Sequence, residues 1–283
     1  MDRRDFLRSA TLLPGAALMA REASAKTDAM KIHFLRHATF LLEAGGVKIL
    51  VDPMLSSKDA MDPVGNAATT ERIPMVDLPL DDKALQSLLQ DLDAVAVTHT
   101  HRDHWDARAK ELIAKDLPLI CQPSDTEAMA AAGFKNLLPV EQSITFKGLK
   151  IYRTGGQHGT GEIGAKMGKV SGFVVEHNKH RIYISGDTIW CTEVADALKE
   201  HRPDFIVVNA GAAQFLQGDP ITMSGNDVVT VCQQEPNATV IAVHMNTVNH
   251  CLLKRSDLQK IVDEKKLTRQ CLIPRDGEVL SLA

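Results

Sequence analysis

Short apolar runs recur along the chain from residue 31 to residue 282: KIHFL, TFLLEA, VKILVD, DAVAVTH, LPLICQ, LKIYRT, SGFVVEH, RIYISGD, DFIVVNA, TVIAVHM and EVLSL. Most are rich in branched or aromatic residues and bounded by Gly, Pro, Asn or Asp, which predicts β-strands. Helical periodicity fills the gaps at residues 81–92, 106–115, 124–132, 192–201, 224–234 and 256–265, with Ser124 and Ser256 as expected N-caps. The first half is strand-rich, with a hairpin expected in EAGGVK at 43–48, and later strands alternate with helices. This mixture predicts an α/β (α+β layered) fold, sheets covered by helices and not an all-parallel sheet. Residues 54–80, which contain Pro63, Pro74 and Pro79, and residues 211–223 are long and irregular. Such segments in a compact domain are candidate binding loops.

The N-terminus follows a different pattern. Arg3-Arg4 precede Phe6-Leu7, a mild apolar stretch at 9–20, and the small-residue sequence Ala23-Ser24-Ala25. A charged start, a short apolar middle and an A-x-A site predict a secretory signal over 1–25, cleaved after about Ala25. The run is too short to span a membrane, so no stable membrane insertion is expected after its removal. RRDFL resembles the twin-arginine export signal, which implies a periplasmic mature domain over 26–283, folded before export. No repeat or low-complexity linker divides that domain. The net charge of −4, without a long basic run, and an aromatic content of only 4% argue against nucleic acid as a partner and leave a small molecule. Five cysteines, an odd number with no C-x-x-C, favour free thiols.

HTHRDHW, residues 99–105, directly follows the run DAVAVT. His99 and His101 stand two apart in extended chain and can point the same way. Asp103 and His104 follow a turn, and Trp105 opens the next helix. Imidazole with carboxylate suits zinc or another first-row metal, but one loop cannot complete the coordination, so ligands are needed elsewhere. His158 in GGQHGTG, Asp187 in ISGDT and His244 in IAVHMN supply them, each just after an apolar strand.

These residues, in this order, resemble the metal-ligand pattern of the metallo-β-lactamase superfamily. FLRHATFLLEAGGVKILVDP is also similar to the opening of the branch containing ascorbate-6-phosphate lactonase and N-acyl phosphatidylethanolamine phospholipase D. Arg36-His37-Ala38-Thr39-Phe40 stands where that branch commonly has G-H-S-T-F. The resemblance implies a four-layer αβ/βα sandwich with the site at one edge of its sheets. It implies two divalent metal ions, zinc, with manganese or iron as alternatives. His99, His101 and His158 would hold one ion, and Asp103, His104 and His244 the other. Asp187 would bridge them, and Asp103 and Asp187 are the catalytic carboxylates it implies. Asp52 would orient a ligand histidine, or else merely form a turn before Pro53.

The implied activity is hydrolysis of an ester, lactone or phosphodiester by a hydroxide between the two metals. An iron-dependent oxidoreductase on the same fold and a non-catalytic metal-binding protein are the alternatives. Several neighbours stay open. His37 either faces the site or packs behind it. Arg36 either binds an anionic substrate group or is an exposed strand arginine. His250 either reaches the pocket or does not. Trp190 and Cys191 either line the pocket or pack in the core.

Overall fold

The computed structural model describes residues 30–282. The expected signal over 1–25 lies outside the described residues. Among these, no helix is long and apolar enough to cross a membrane.

The chain forms two seven-stranded sheets. The first has the order β14-β1-β2-β3-β4-β5-β6 and comprises β1 (Met30–Arg36), β2 (Thr39–Ala44), β3 (Val47–Val51), β4 (Ala94–Val97), β5 (Leu119–Cys121), β6 (Leu137–Pro139) and β14 (Val279–Leu282). The second has the order β13-β12-β11-β10-β9-β8-β7. It comprises β7 (Ser143–Phe146), β8 (Leu149–Thr154), β9 (Gly172–His177), β10 (His180–Ile184), β11 (Phe205–Asn209), β12 (Thr239–Val243) and β13 (Cys271–Leu272). Both sheets are mixed: β1, β2 and β3 pair antiparallel, while β3, β4 and β5 pair parallel. In the second sheet β9 and β10 are antiparallel, and β10, β11 and β12 parallel.

The near-continuous apolar runs follow from burial on both faces. Along β1 to β4, Ile32, Phe34, Phe40, Leu42, Ile49 and Ala96 point between the sheets. There they meet Ile151, Phe173, Ile182, Val207 and Ile241 of the second sheet. The alternate residues Leu41, Leu50, Val95 and Val97 face outward. Full burial of each such side chain contributes about 1.5–3 kcal/mol.

Helices α1 (Asp82–Gln90), α2 (Ala107–Leu112) and α3 (Thr126–Ala131) cover that outer face through Leu85, Ala109 and Met129. Helix α4 (Gly161–Met167) lies near the loops. Helices α5 (Thr192–His201), α6 (Gly225–Gln234) and α7 (Arg255–Glu264) cover the second sheet through Leu198, Val228, Val231, Leu258 and Val262. Helix, sheet, sheet and helix make the four expected layers.

Two capping expectations fail. Residue 124 lies in a 3-10 turn, Pro123–Asp125, and α3 starts after Asp125, because Pro123 fixes the first turn. Helix α7 starts after Lys254, two residues earlier than Ser256 implies. Ser224 does cap α6, in a reciprocal capping box with Asp227. Helix α4 and strands β6, β7 and β13 are additions that the apolar pattern did not signal. The two irregular segments, 54–80 and 211–223, contain no helix or strand. They pack together over a satellite core of Met54, Ile73, Ala213, Ile221, Val248 and Cys251.

Arg36 departs from both of its expected roles. It is fully buried. Its Nη1 donates to the Val76 carbonyl at 2.8 Å, and its Nη2 to the carbonyls of Met54, at 3.0 Å, and Ser56. It therefore pins the first long loop to the end of β1.

Candidate metal centre

The ends of six strands deliver the polar residues to one edge of the sandwich. His37 follows β1, Asp52 follows β3, His99 comes two residues after β4, and His158 four after β8. Asp187 comes three after β10, and His244 directly after β12. His37, Asp52 and His244 have left-handed backbones, with φ of 56°, 42° and 68°. Each costs on the order of 1 kcal/mol for a residue with a side chain, and the turn it makes brings the side chain over the strand ends. The His37 and His244 turns support each other: His244 N donates to His37 O at 2.8 Å, and the two rings lie 3.7 Å apart.

Two glycines allow the close approach. Gly186 has φ +63°, and a Cβ there would sit 2.6 Å from the Ser171 carbonyl. At Gly211 a Cβ would meet His244 O at 2.4 Å and Cys251 Sγ at 2.5 Å.

All seven expected ligands converge. His99, His101 and His158 form one group of donor atoms within 4.8 Å of one another, and His37, Asp103, His104 and His244 form another. His99, His104 and Asp187 form a third that overlaps both. Asp187 Oδ2 lies 3.2 Å from His104 Nε2, 3.5 Å from His158 Nε2 and 3.9 Å from His99 Nε2, and its Oδ1 lies 3.2 Å from His244 Nε2. His37 Nε2 meets Asp103 Oδ2 at 3.2 Å, so His37 faces the site.

Outer partners fix which nitrogen faces inward. His104 Nδ1 donates to Asp52 Oδ2 at 2.8 Å, and His158 Nδ1 donates to the Ile221 carbonyl at 2.8 Å. Both Nε2 lone pairs are then bare toward the centre. Asp52 is itself held by Thr98, through backbone N at 2.8 Å and Oγ1 at 2.7 Å. Asn209 Nδ2 donates to Asp187 Oδ1 at 2.7 Å.

This donor set fits metal cations. His104 Nε2 faces His244 Nε2 at 3.2 Å, and His99 Nε2 faces His101 Nδ1 at 3.0 Å. Opposed lone pairs beside two buried carboxylates demand positive charge. With protons alone, burial lowers the affinity of His104, but Asp187, Asp103 and Asp52 outweigh it and raise its pKa to about 10. Burial lowers His244 too, but Asp187, Cys251 and Asp103 outweigh it and leave the ring well above the ordinary value. Burial and the neighbouring His104 push His99 far down instead. The carboxylates thus draw positive charge to His104 and His244, while His99 favours the neutral imidazole that a metal requires.

Beside the cluster lies a cavity of about 210 Å³. Its lining combines Asp103, His101, His158 and Asp187 with the apolar side chains of Val64, Met167, Phe215 and Ile221, together with Arg102 and His250. Both long loops contribute. They are tied to each other by Leu216 N donating to Asn66 O at 2.8 Å. Asn249 clamps the first loop through Val64 N at 2.8 Å and the Thr69 carbonyl at 2.8 Å. Trp190 and Cys191 lie elsewhere, half-buried against the core outside the second sheet. Trp105 is buried against Phe134, and Asp106 caps α2 through Ala109 N at 2.7 Å.

The beta-lactamase superfamily domain matches residues 31–244. The UPF0173 protein YddR of Bacillus subtilis is 35% identical over 253 residues, which is 88% of this chain and 98% of that one. The chain belongs to the metallo-β-lactamase superfamily, within the UPF0173 metal-dependent hydrolases. Its solved relatives include a possible metal-dependent hydrolase from Veillonella parvula, with a TM-score of 0.86 and 35% identity, covering 90% of this chain and all of that one. Another is isothiocyanate hydrolase from Delia radicum gut bacteria, with a TM-score of 0.84 and 37% identity, covering 89% of this chain and 98% of that one. The sandwich and the His/Asp cluster are those of a metal-dependent hydrolase.

Within that family frame, Asp52→Asn tests the outer support. The amide would set an N–H against His104 Nδ1–H, while its oxygen could still accept from Thr98. Metal affinity is expected to fall by about 10- to 100-fold with the fold retained, as measured by chelator competition and far-ultraviolet circular dichroism. Unchanged affinity would show that Asp52 only shapes the turn before Pro53.

Proposed function

We propose that this chain is an exported binuclear hydrolase of small, largely apolar molecules with an electrophilic carbon, isothiocyanates first among them. The observation that carries the reading is the cavity. At about 210 Å³ it is smaller than the roughly 300–1,000 Å³ of drug-sized pockets. Its lining divides between the His/Asp cluster and the apolar side chains of Val64, Met167, Phe215 and Ile221. A short apolar body with a polar reacting end matches that division. The 37% identity to an isothiocyanate hydrolase supports the choice. Among esters, lactones and phosphodiesters, the first two keep a carbon electrophile. A phosphodiester brings an anionic group, and among the described residues the only arginine or lysine on the wall is Arg102.

In this reading His99, His101 and His158 would hold one ion and Asp103, His104 and His244 the other, with Asp187 shared between the two sets. Two divalent ions there supply a more acidic water and an electrophilic contact for the substrate. The chain's own work is positional. Asp52 and the Ile221 carbonyl hold His104 and His158 in one tautomer. Asn209 fixes Asp187. Asp103 and Asp187 offer oxygens beside the cavity that orient a water through its hydrogens. The apolar wall excludes other water. For an isothiocyanate, water adds across the central carbon, a C=O bond forms, the C–N bond breaks, and two protons end on nitrogen. The products are an amine and carbonyl sulfide.

The test is removal and return of the metal. Chelated protein is expected to lose turnover of allyl isothiocyanate by at least about a hundredfold and to regain it with zinc, manganese or ferrous ion, at two ions per chain. Allyl isothiocyanate should exceed p-nitrophenyl acetate, γ-butyrolactone and bis(p-nitrophenyl) phosphate in kcat/KM. Metal-independent turnover, or the phosphodiester as best substrate, would reverse the reading. Export rests on RRDFL and Ala23-Ser24-Ala25. Cell fractionation should find the protein periplasmic, and the paired change Arg3→Lys/Arg4→Lys should retain it in the cytoplasm. Equal distribution of both forms would remove the export assignment.

A further inference from the structure

His250 lies outside every ligand group of the centre, yet it lines the same cavity as Asp103, His158 and Asp187. Only 7% of it is exposed. Its backbone is fixed, because Gln214 N donates to the His250 carbonyl at 2.9 Å and the adjacent Asn249 clamps the first long loop. Its ring is stacked on Phe215, with centroids 5.9 Å apart and planes 23° apart. The Nδ1 atom is buried and has no hydrogen-bond partner. A ring so held, with no partner of its own among the described residues, is unusual for a histidine that only packs.

The two tautomers differ in cost. A proton on Nδ1 would bury a donor without an acceptor, at about 1–3 kcal/mol. A bare lone pair there is the more tolerated state, as unpaired acceptors outnumber unpaired donors in proteins. The proton therefore belongs on Nε2, the nitrogen left to the cavity. Burial, against the opposing pull of Asp103, holds the ring near a pKa of about 4, so at neutral pH it is uncharged and has this single N–H. No acceptor among the described residues meets it.

We propose that His250 is a catalytic residue of this site, donating a hydrogen bond from Nε2 to the substrate heteroatom attached to the reacting carbon. For an isothiocyanate that atom is nitrogen, which becomes the leaving amine. The donor would favour charge developing there and would orient the linear N=C=S group between the apolar wall and the His/Asp cluster. It selects substrates with an acceptor on the side away from the metals. This rests on the hydrolytic reading above, but the binding half of its test does not.

Three variants decide it, each checked for metal content. The Gln amide nitrogen reaches about as far as imidazole Nε2, and that of Asn about as far as Nδ1. His250→Ala should keep wild-type metal content, lose about a hundredfold in kcat/KM for allyl isothiocyanate, and bind thiocyanate ion, an unreactive N–C–S probe, about tenfold more weakly by calorimetry. His250→Gln should recover at least a tenth of both properties, and His250→Asn should resemble His250→Ala. Turnover and thiocyanate binding within threefold of wild type in His250→Ala would overturn the proposal. So would equal rescue by Asn and Gln, or loss of metal in all three variants, which would make the residue structural. If wild-type protein turns over none of the isothiocyanate, ester and lactone probes, the hydrolytic reading fails, and the thiocyanate titration still decides on His250.

Discussion

Asp187→Ala is expected to lower kcat by about a thousandfold or more, since the loss of one centrally placed carboxylate removes several kcal/mol of charge stabilisation, and about 4 kcal/mol corresponds to that factor. Among the described residues, Asp187 is the one side chain whose oxygens lie within 4 Å of imidazoles from both expected ligand sets, His99 and His158 on one side and His104 and His244 on the other. Its removal takes away the shared anion and leaves those imidazoles facing one another. On the binuclear proposal, metal content by plasma mass spectrometry should therefore fall from two ions per chain toward one, and not merely weaken uniformly. Asp187→Asn keeps the shape and one acceptor, so it should fold like wild type while losing most activity. A variant that retained two ions and full turnover would show that Asp187 does not bridge, and with it the binuclear reading would fall.

The centre was legible in the sequence because its residues announce themselves by type and place. His99, His101, Asp103 and His104 crowd one loop, and His158, Asp187 and His244 each follow an apolar run. Strand ends on one edge of a layered sheet are where such residues can meet, so order along the chain carried the geometry. What supports them was less visible. Asn209 ends β11 as one asparagine among several, and only its 2.7 Å bond to Asp187 distinguishes it. Cys251 touches His244 Nδ1 at 3.5 Å, a contact that depends on Gly211 admitting the sulfur. Asp and His adopt left-handed backbone more readily than most residues, but type alone does not single out His37, Asp52 and His244 from the others. Their left-handed turns exist because long-range packing holds them. The apolar wall was also hidden: Val64, Met167, Phe215 and Ile221 come from three separate segments without regular period. Helix α4, with two glycines in seven residues, lacks the apolar stripe by which the other helices were read.

Arg36→Met should lower stability by about 3–5 kcal/mol, the second large effect and the one that separates scaffold from substrate recognition. The guanidinium is fully buried, and burial brings its pKa down to about 10 even with Asp106, Asp276 and Asp77 acting to raise it. It stays charged at neutral pH because carbonyls on both arms of the first loop, Met54 and Ser56 on one and Val76 on the other, accept from it. Methionine fills similar volume but donates nothing, so three carbonyls lose their partner and the nearby carboxylates lose their cation. Asp106 would feel this most, since it also accepts from Ser56 N at 2.7 Å and caps α2. A loss of 3–5 kcal/mol corresponds to a fall in Tm of about 10 °C for a domain of this size. Because Arg36 is not among the residues lining the cavity, KM for a substrate with and without an anionic group should change equally in the variant. If instead Tm held within 2 °C while KM rose only for the anionic substrate, Arg36 would be an anion contact after all, and the loop would need another anchor.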